Sequence, residues 1–187
     1  MSLINITANG NGLQKTGGCA GCPDASAVSE QQMSGSGALN FIASESGSLR
    51  FVGLASGGIG TGAGDMNFAI RLQGGVAEVR ESGAYRTEVG FGAGDTFRIA
   101  VEGGVVRYAK NGAVFYTSGS QATYAVRAHA VFFDMNAAVG EVVVSGGAEA
   151  SSTSPSVAAP APSTTGQPRK AVRRPAGSPP VRRKPSW

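Results

Sequence analysis

The feature that most constrains this chain is a two-residue alternation of apolar and polar side chains, broken every few residues by glycine, asparagine or serine. Successive side chains of an extended strand point to opposite faces, so such alternation specifies strands with one buried face and one solvated face. Asn67 to Leu72 sets Phe68, Ile70 and Leu72 against Asn67, Ala69 and Arg71. Asp95 to Glu102 sets Phe97, Ile99 and Val101 against Arg98, Ala100 and Glu102, and the next segment offers Val106 and Tyr108 with Val105 and Arg107 opposite. Helical periodicity is nearly absent. The one segment that admits a helix is Asp24 to Met33, where Asp24 could cap a first turn, although Val28 to Met33 fits a strand equally well.

The turns carry as much information as the strands. A two-residue hairpin needs positive φ at its centre and so selects glycine and asparagine. Asn111-Gly112 joins 105–110 to 113–117, while Gly103-Gly104, Ser82-Gly83 and Gly74-Gly75 join the strands before it, so residues 66 to 118 read as a five-stranded antiparallel meander. Further strands are expected at Leu3–Ala8, Ala38–Ala43 and Leu49–Leu54. Val126–Asp134, apolar on both faces, is expected to be central, and Val139–Ser145 to close the fold. About ten to twelve short strands at this spacing favour two packed sheets over one open sheet. The expected fold class is all-β, a two-sheet antiparallel jelly-roll sandwich.

Charge divides the chain. Residues 1–146 hold nine Lys or Arg against eleven Asp or Glu, whereas the remainder holds one acid, Glu149, and seven bases: Arg169, Lys170, Arg173, Arg174, Arg182, Arg183 and Lys184. The net charge of +4 is therefore −2 in the body and +6 after it. Eight of the nine prolines also follow Glu149, and the larger apolar residues there are only Val157, Val172, Val181 and Trp187. A segment of this kind cannot bury enough surface to offset its ordering entropy. The expected organisation is a β-sandwich domain at 1–146, an Ala/Ser/Pro/Thr-rich linker at 147–167 and a disordered basic Pro/Arg-rich tail at 168–187. A body of this length can form a core without disulfide staples. Met1 to Ala8 has neither a basic region nor an apolar run, so no signal peptide is expected, and no stretch is apolar over the length of a membrane helix. Cytoplasmic synthesis follows as the expectation, with leaderless release or incorporation in a particle left open.

The stretch Gly94-Asp95-Thr-Phe-Arg-Ile-Ala-Val-Glu-Gly-Gly-Val-Val-Arg-Tyr-Ala-Lys-Asn111-Gly112-Ala-Val-Phe-Tyr116 resembles the core of bacterial concanavalin A-like lectin and glucanase sandwich modules, with the related laminin-G-like and SPRY-like folds. Arg50-Phe-Val-Gly-Leu-Ala-Ser and Asp65-Met-Asn-Phe-Ala-Ile extend the resemblance, which covers residues 3 to 146. It implies a sandwich fold. Modules of this kind serve as lectins, adhesion domains, accessory domains and structural proteins.

The chemistry-bearing residues are few. Cys19-Ala-Gly-Cys22 offers half a zinc site, a redox pair or a local disulfide. Zinc would need two more ligands where His129 is the sole histidine and Asp24 the nearest carboxylate, and a redox pair would want a helix N-terminus to favour the thiolate, so a loop-stabilising or adventitious thiol pair is expected. His129 lies in an apolar run and reads as a packed strand residue. No Glu-x-Asp-x-x-Glu cluster of a glycosidase and no nucleophile elbow is present, and the glycine-rich run 57–64 lacks the lysine of a phosphate loop. Glu78 and Arg80 share one strand face as a solvated pair, with Glu81 turned away. No enzyme, cofactor or metal is therefore expected.

Asp65 and Asn67, at the end of the glycine-rich loop, could form the rim of a sugar or ion site, and Tyr85 and Arg86 could stack on and hydrogen-bond a sugar ring. The basic clusters of the tail would attract a polyanion, with Trp187 as an anchor for a partner's pocket. Two functions fit. The first is a non-catalytic, lectin-like adhesion module that binds carbohydrate or a cell-surface glycan through loops or a sheet face, its tail tethering it to an assembly or an anionic surface. The second is a structural virion or other particle component whose body makes subunit contacts, including homo-oligomers, and whose tail binds nucleic acid or a neighbour.

Overall fold

A computed structural model describes residues 1–57 and 60–146. The expected linker and tail, with Arg169, Lys170, Arg173, Arg174, Arg182, Arg183, Lys184 and Trp187, lie outside the described residues. Fourteen strands follow in chain order: β1 (Ser2–Ile4), β2 (Ile6–Asn9), β3 (Gly12–Lys15), β4 (Ala25–Met33), β5 (Gly37–Ala43), β6 (Arg50–Ala55), β7 (Phe68–Gln73), β8 (Val76–Glu81), β9 (Ala84–Gly90), β10 (Thr96–Glu102), β11 (Val105–Lys110), β12 (Ala113–Gln121), β13 (Val126–Phe132) and β14 (Ala138–Ser145). They form two seven-stranded antiparallel sheets, ordered β1-β4-β13-β6-β7-β8-β9 and β12-β11-β10-β5-β14-β3-β2. This is the expected two-sheet sandwich.

The alternation read from the sequence sets the core. Phe68, Ile70 and Leu72 of the first sheet and Phe97, Ile99, Val101, Val106 and Tyr108 of the second are all buried in one cluster between the sheets. Phe97 stacks on Phe41 at 5.5 Å between ring centroids and meets Phe91 edge-on at 5.9 Å. β13 is an interior strand, as its two-faced apolarity implies, with Ala128, Ala130 and Phe132 in the central core and Val131 in a small outer cluster with Met66 and Ala69. The segment that admitted a helix holds strand β4, Ala25–Met33, instead.

Two expectations need correction. The stretch 66–118 is not one meander. It holds six strands, and at Phe91–Asp95 the chain crosses from the first sheet to the second, leaving β7-β8-β9 and β10-β11-β12 on opposite layers. Each half carries one apolar face, and both faces are hidden only when they oppose each other. Likewise the single strand expected at Leu3–Ala8 breaks at Asn5, in the left-handed region at φ 54°, so that β1 pairs with β4 and β2 with β3. The strand expected at 139–145 is β14, which joins the second sheet from inside, between β5 and β3.

The Gly94-Asp95 and Asn111-Gly112 pattern has a structural explanation. Asn111 and Gly112 adopt φ 50° and 81°, the geometry of the two-residue turn they were expected to make. Asn111 Nδ2 donates to Asp95 Oδ1 (2.8 Å), and Asn111 Oδ1 accepts from the Thr96 backbone N–H (2.9 Å). Asp95 Oδ2 accepts from the Gly92 N–H (2.9 Å) and pairs with Lys110 Nζ (3.0 Å). One aspartate thereby fastens the sheet-to-sheet crossing to the hairpin tip. These bonds, from Asn111 first and then Gly92 and Lys110, hold the Asp95 carboxyl down to about 2.

Two predictions follow from this packing. Phe97→Ala should cost about 3–5 kcal/mol of unfolding free energy, read by urea denaturation, because it leaves a cavity where the rings of Phe41 and Phe91 lose their partner. Asp95 ionises more readily folded than unfolded, where its value is 3.8, so its stabilisation is complete above that value and disappears as pH falls through about 2. Asp95→Asn should therefore flatten the decline in stability across this acid range, measured by urea midpoints at stepped pH.

Candidate functional site

The outer face of the second sheet carries a groove. Cross-strand register aligns one row of residues over five strands: Val143, Asn40, Arg98, Ala109 and Val114. A second row places Gly140, Ile42 and Thr96 side by side. Ala109 is too short to fill its place in the first row, so the surface sinks between longer neighbours. The resulting cavity of about 510 Å³ is lined by Asn40, Ile42, Thr96, Arg98, Ala109, Glu141 and Val143, among others. Arg98 Nη1 donates to Asn40 Oδ1 at 3.0 Å, which fixes an amide and a guanidinium as one polar unit at its centre. A β-bulge between Gly140 and Val143 holds Glu141 in the left-handed region at φ 48° and brings it to the groove. A non-glycine residue held there is a local cost that the surrounding structure imposes.

The four body residues singled out from the sequence do not form one site. Asn67 and Arg86 meet, with Glu81, Ser82, Gln121 and Thr123, in a polar cleft of about 210 Å³ at one end of the sandwich. Arg86 is the extra residue of a bulge opposite Val79 and Arg80, and its Nε donates to Glu81 Oε2 at 3.0 Å. Glu81, only 4 % exposed, turns inward and also faces the Tyr108 hydroxyl at 3.4 Å. Burial, then the Glu81 charge, raises the Tyr108 pKa well above its ordinary value. Asn67 is spent on local structure, its Oδ1 accepting from the Ser56 N–H (2.6 Å) and from Ser56 Oγ (2.9 Å).

Tyr85, 49 % exposed, lies on the outer face of the first sheet beneath the Arg80 guanidinium, 5.5 Å from its ring centroid. There Glu78 accepts from both Arg71 and Arg80, so the pair expected on this face is a triad. Asp65 ends a short 3-10 turn, Ala63–Asp65, in the loop that lies over the same sheet. His129 is buried on that outer side, beside the Gly60 backbone. Burial lowers its pKa, and the Asp65 charge opposes that shift.

A feature missed in the sequence is a buried ammonium. The Lys15 side chain is fully enclosed, and its three Nζ hydrogens are shared among four acceptors, the carbonyls of Cys19 (2.7 Å), Cys22 (2.9 Å) and Phe133 (2.8 Å) and Asp24 Oδ1 (2.6 Å). Asp24 Oδ2 accepts from the Cys19 N–H at 2.8 Å. Lys15 first, then the Cys19 amide, lowers the Asp24 pKa. Cys19 and Cys22 are joined as a disulfide. Their sulfurs and an Asp24 oxygen lie within 4.8 Å of one another, a spacing suited to a metal ion, but both oxygens of that carboxylate are already engaged and the charge at the loop's centre is the ammonium. No sequence signal separates this lysine from an exposed one except its place facing inward on β3, where Leu13 is its buried neighbour two residues away.

The architecture is that of the concanavalin A-like sandwiches. No family model and no curated protein sequence matches the chain. Among solved structures it is similar to the SPRY domain of human HERC1, at 15% identity and TM-score 0.58, over 77% of this chain and 92% of that one. It is similar also to another human SPRY domain, at 14% identity and TM-score 0.57, over 75% of this chain and 96% of that one. A tetrameric galectin from the ball sponge Cinachyrella sp. aligns at 14% identity and TM-score 0.45, over 64% of this chain and 97% of that one. The first two establish a shared fold. Among the described residues no helix is long and apolar enough to cross a membrane.

Removing the buried ammonium should be expensive. Lys15→Met leaves the Cys22 carbonyl and Asp24 Oδ1 without their donor and takes one of two from the Cys19 and Phe133 carbonyls, a loss of about 1–3 kcal/mol for the acceptor left unsatisfied. Urea unfolding of the variant beside the parent chain measures it.

Proposed function

We propose that this protein is a non-catalytic recognition module that binds carbohydrate in the groove on the outer face of its second sheet. The observation that carries the reading is the Asn40–Arg98 unit set over Ile42, Ala109 and Val143 with Glu141 beside it. A sugar ring presents hydroxyls that both donate and accept, around patches of C–H. The groove offers donors from Arg98 and Asn40, an acceptor in Glu141, and small apolar surface between them. Strand register fixes these groups in advance, which lowers the entropy lost on binding. The aromatic residues at the groove, Phe41 and Phe97, are buried with their rings in the core, so affinity would rest on hydrogen bonds and be modest for a single sugar.

The cleft around Glu81 and Arg86 is less suited, because its charged groups already satisfy each other. The segment beyond the body, with its net charge of +6, is assigned the role of tether to an anionic surface or a larger assembly.

A glycan array probed with the full chain tests the reading. Binding to a defined glycan should weaken about tenfold or more in Arg98→Ala, the cost of deleting a charged hydrogen-bonding group, and remain unchanged in Arg86→Ala. Silence across a broad array from protein that is folded by circular dichroism would reject carbohydrate as the ligand.

A further inference from the structure

The disulfide loop is built in a way that its sequence spacing did not suggest. A disulfide stabilises chiefly by restricting the unfolded chain, and that effect shrinks as the closed loop shortens. Here the two cysteines are only three positions apart. The loop is, moreover, held by bonds that do not pass through sulfur. Lys15 Nζ grips the carbonyls of both cysteines, Asp24 holds the Cys19 amide, the Gly21 N–H donates to the Phe133 carbonyl (2.9 Å), and Asn5 Nδ2 donates to the Asp24 carbonyl (2.8 Å). All of these would persist with the sulfur–sulfur bond open. Cys19 is exposed and Cys22 half-buried, so reagents in solution reach the bond.

We propose that Cys19–Cys22 is a reversible thiol–disulfide exchange site rather than a structural staple, with small dithiols or the dithiol of a reducing protein as its reaction partner. The inference is independent of the carbohydrate reading. In the exchange, a thiolate of the partner attacks the accessible Sγ of Cys19. A mixed disulfide forms, the Cys19–Cys22 bond breaks, and its electron pair leaves on the Cys22 sulfur. The partner's second thiolate then attacks its own sulfur in the mixed disulfide and departs as an intramolecular disulfide, leaving both cysteines as thiols once they take up protons from water. Two electrons pass from partner to protein. The Lys15 ammonium is paired with Asp24, whose carboxylate lies within 4.8 Å of both sulfurs, so the two charges offset and the lysine acts through the cysteine carbonyls it holds. Because the same lysine keeps the two cysteine backbones in place, the reduced pair remains poised to close again, which makes the step reversible.

The test uses the full folded chain, equilibrated in buffers of graded dithiothreitol to oxidised dithiothreitol ratio, quenched with iodoacetamide and weighed by mass spectrometry. The expected result is a single two-electron transition that is identical when approached from either direction. The reduced protein should keep its circular dichroism spectrum and melt less than about 10 °C below the oxidised one, where a domain of this size shifts by roughly 2–4 °C per kilocalorie. A bond that native protein does not release to excess dithiothreitol would overturn the proposal. So would reduced cysteines that do not re-form the bond in oxidised dithiothreitol, or a reduction that lowers the melting temperature by about 10 °C or more, since each marks either a staple or an unlinked pair.

Discussion

Two apolar sheet faces must be hidden against each other, and nearly everything else in this molecule is arranged to let them close. Neither face is large enough to be buried by its own strands, so the chain repeatedly changes layer. Among the described residues it does so seven times, for example after three residues of β1, at the crossing from β9 to β10, and between β12 and β13. Phe91 shows how such a change is held. It lies in the crossing itself, its ring edge-on to Phe97 in the shared core and within 6.0 Å of the Arg50 guanidinium. Arg50 is in turn fully buried and donates to the carbonyls of Ser48 (2.7 Å) and Glu45 (2.5 Å), besides pairing with the Glu45 carboxylate. Burial lowers its pKa, which the Glu45 charge opposes. Lys15 does for the loop 16–24 what Arg50 does for 44–50. In each case a buried cation gathers carbonyls that no strand partner satisfies.

Much of the fold is legible in the sequence because its signals are local. The inward placement of Phe97, Ile99 and Val101 follows from alternation alone, and the Asn111-Gly112 turn follows from the φ values its geometry requires. What alternation does not encode is which sheet a strand joins. Residues 66–118 look continuous because each hairpin within them is, whereas the crossing at Phe91–Asp95 is decided by apolar faces far apart in sequence. Asn5 is a similar case: one left-handed residue divides an apparently uniform strand between two layers.

The candidate groove was less legible. Arg98 stands on the outward face as alternation implies, but its partner Asn40 is 58 positions away, and only cross-strand register joins them. Glu141 reaches the groove through a bulge, which has no sequence signature in a run of valine and glycine. The residues that did attract notice, Asp65, Asn67, Tyr85 and Arg86, are polar groups next to turns, and the structure distributes them over a covering loop, a polar cleft and the opposite face. Lys15 passed unnoticed because composition counts charges without showing where they are buried.

The interior position of β14 bears on how the body is assembled. Ser145 pairs with Ala38, 107 positions earlier, so β5 lacks one of its two neighbours until nearly all of the described chain has been made. Hairpins such as β10-β11 can form as they emerge, but the second sheet is divided until the last strand arrives to join β5 to β3. Folding during synthesis is thus gated from the C-terminal side. A body shortened by a single strand there would lose a seam rather than an ornament, leaving two fragments of sheet with exposed edges and no intact wall for the core.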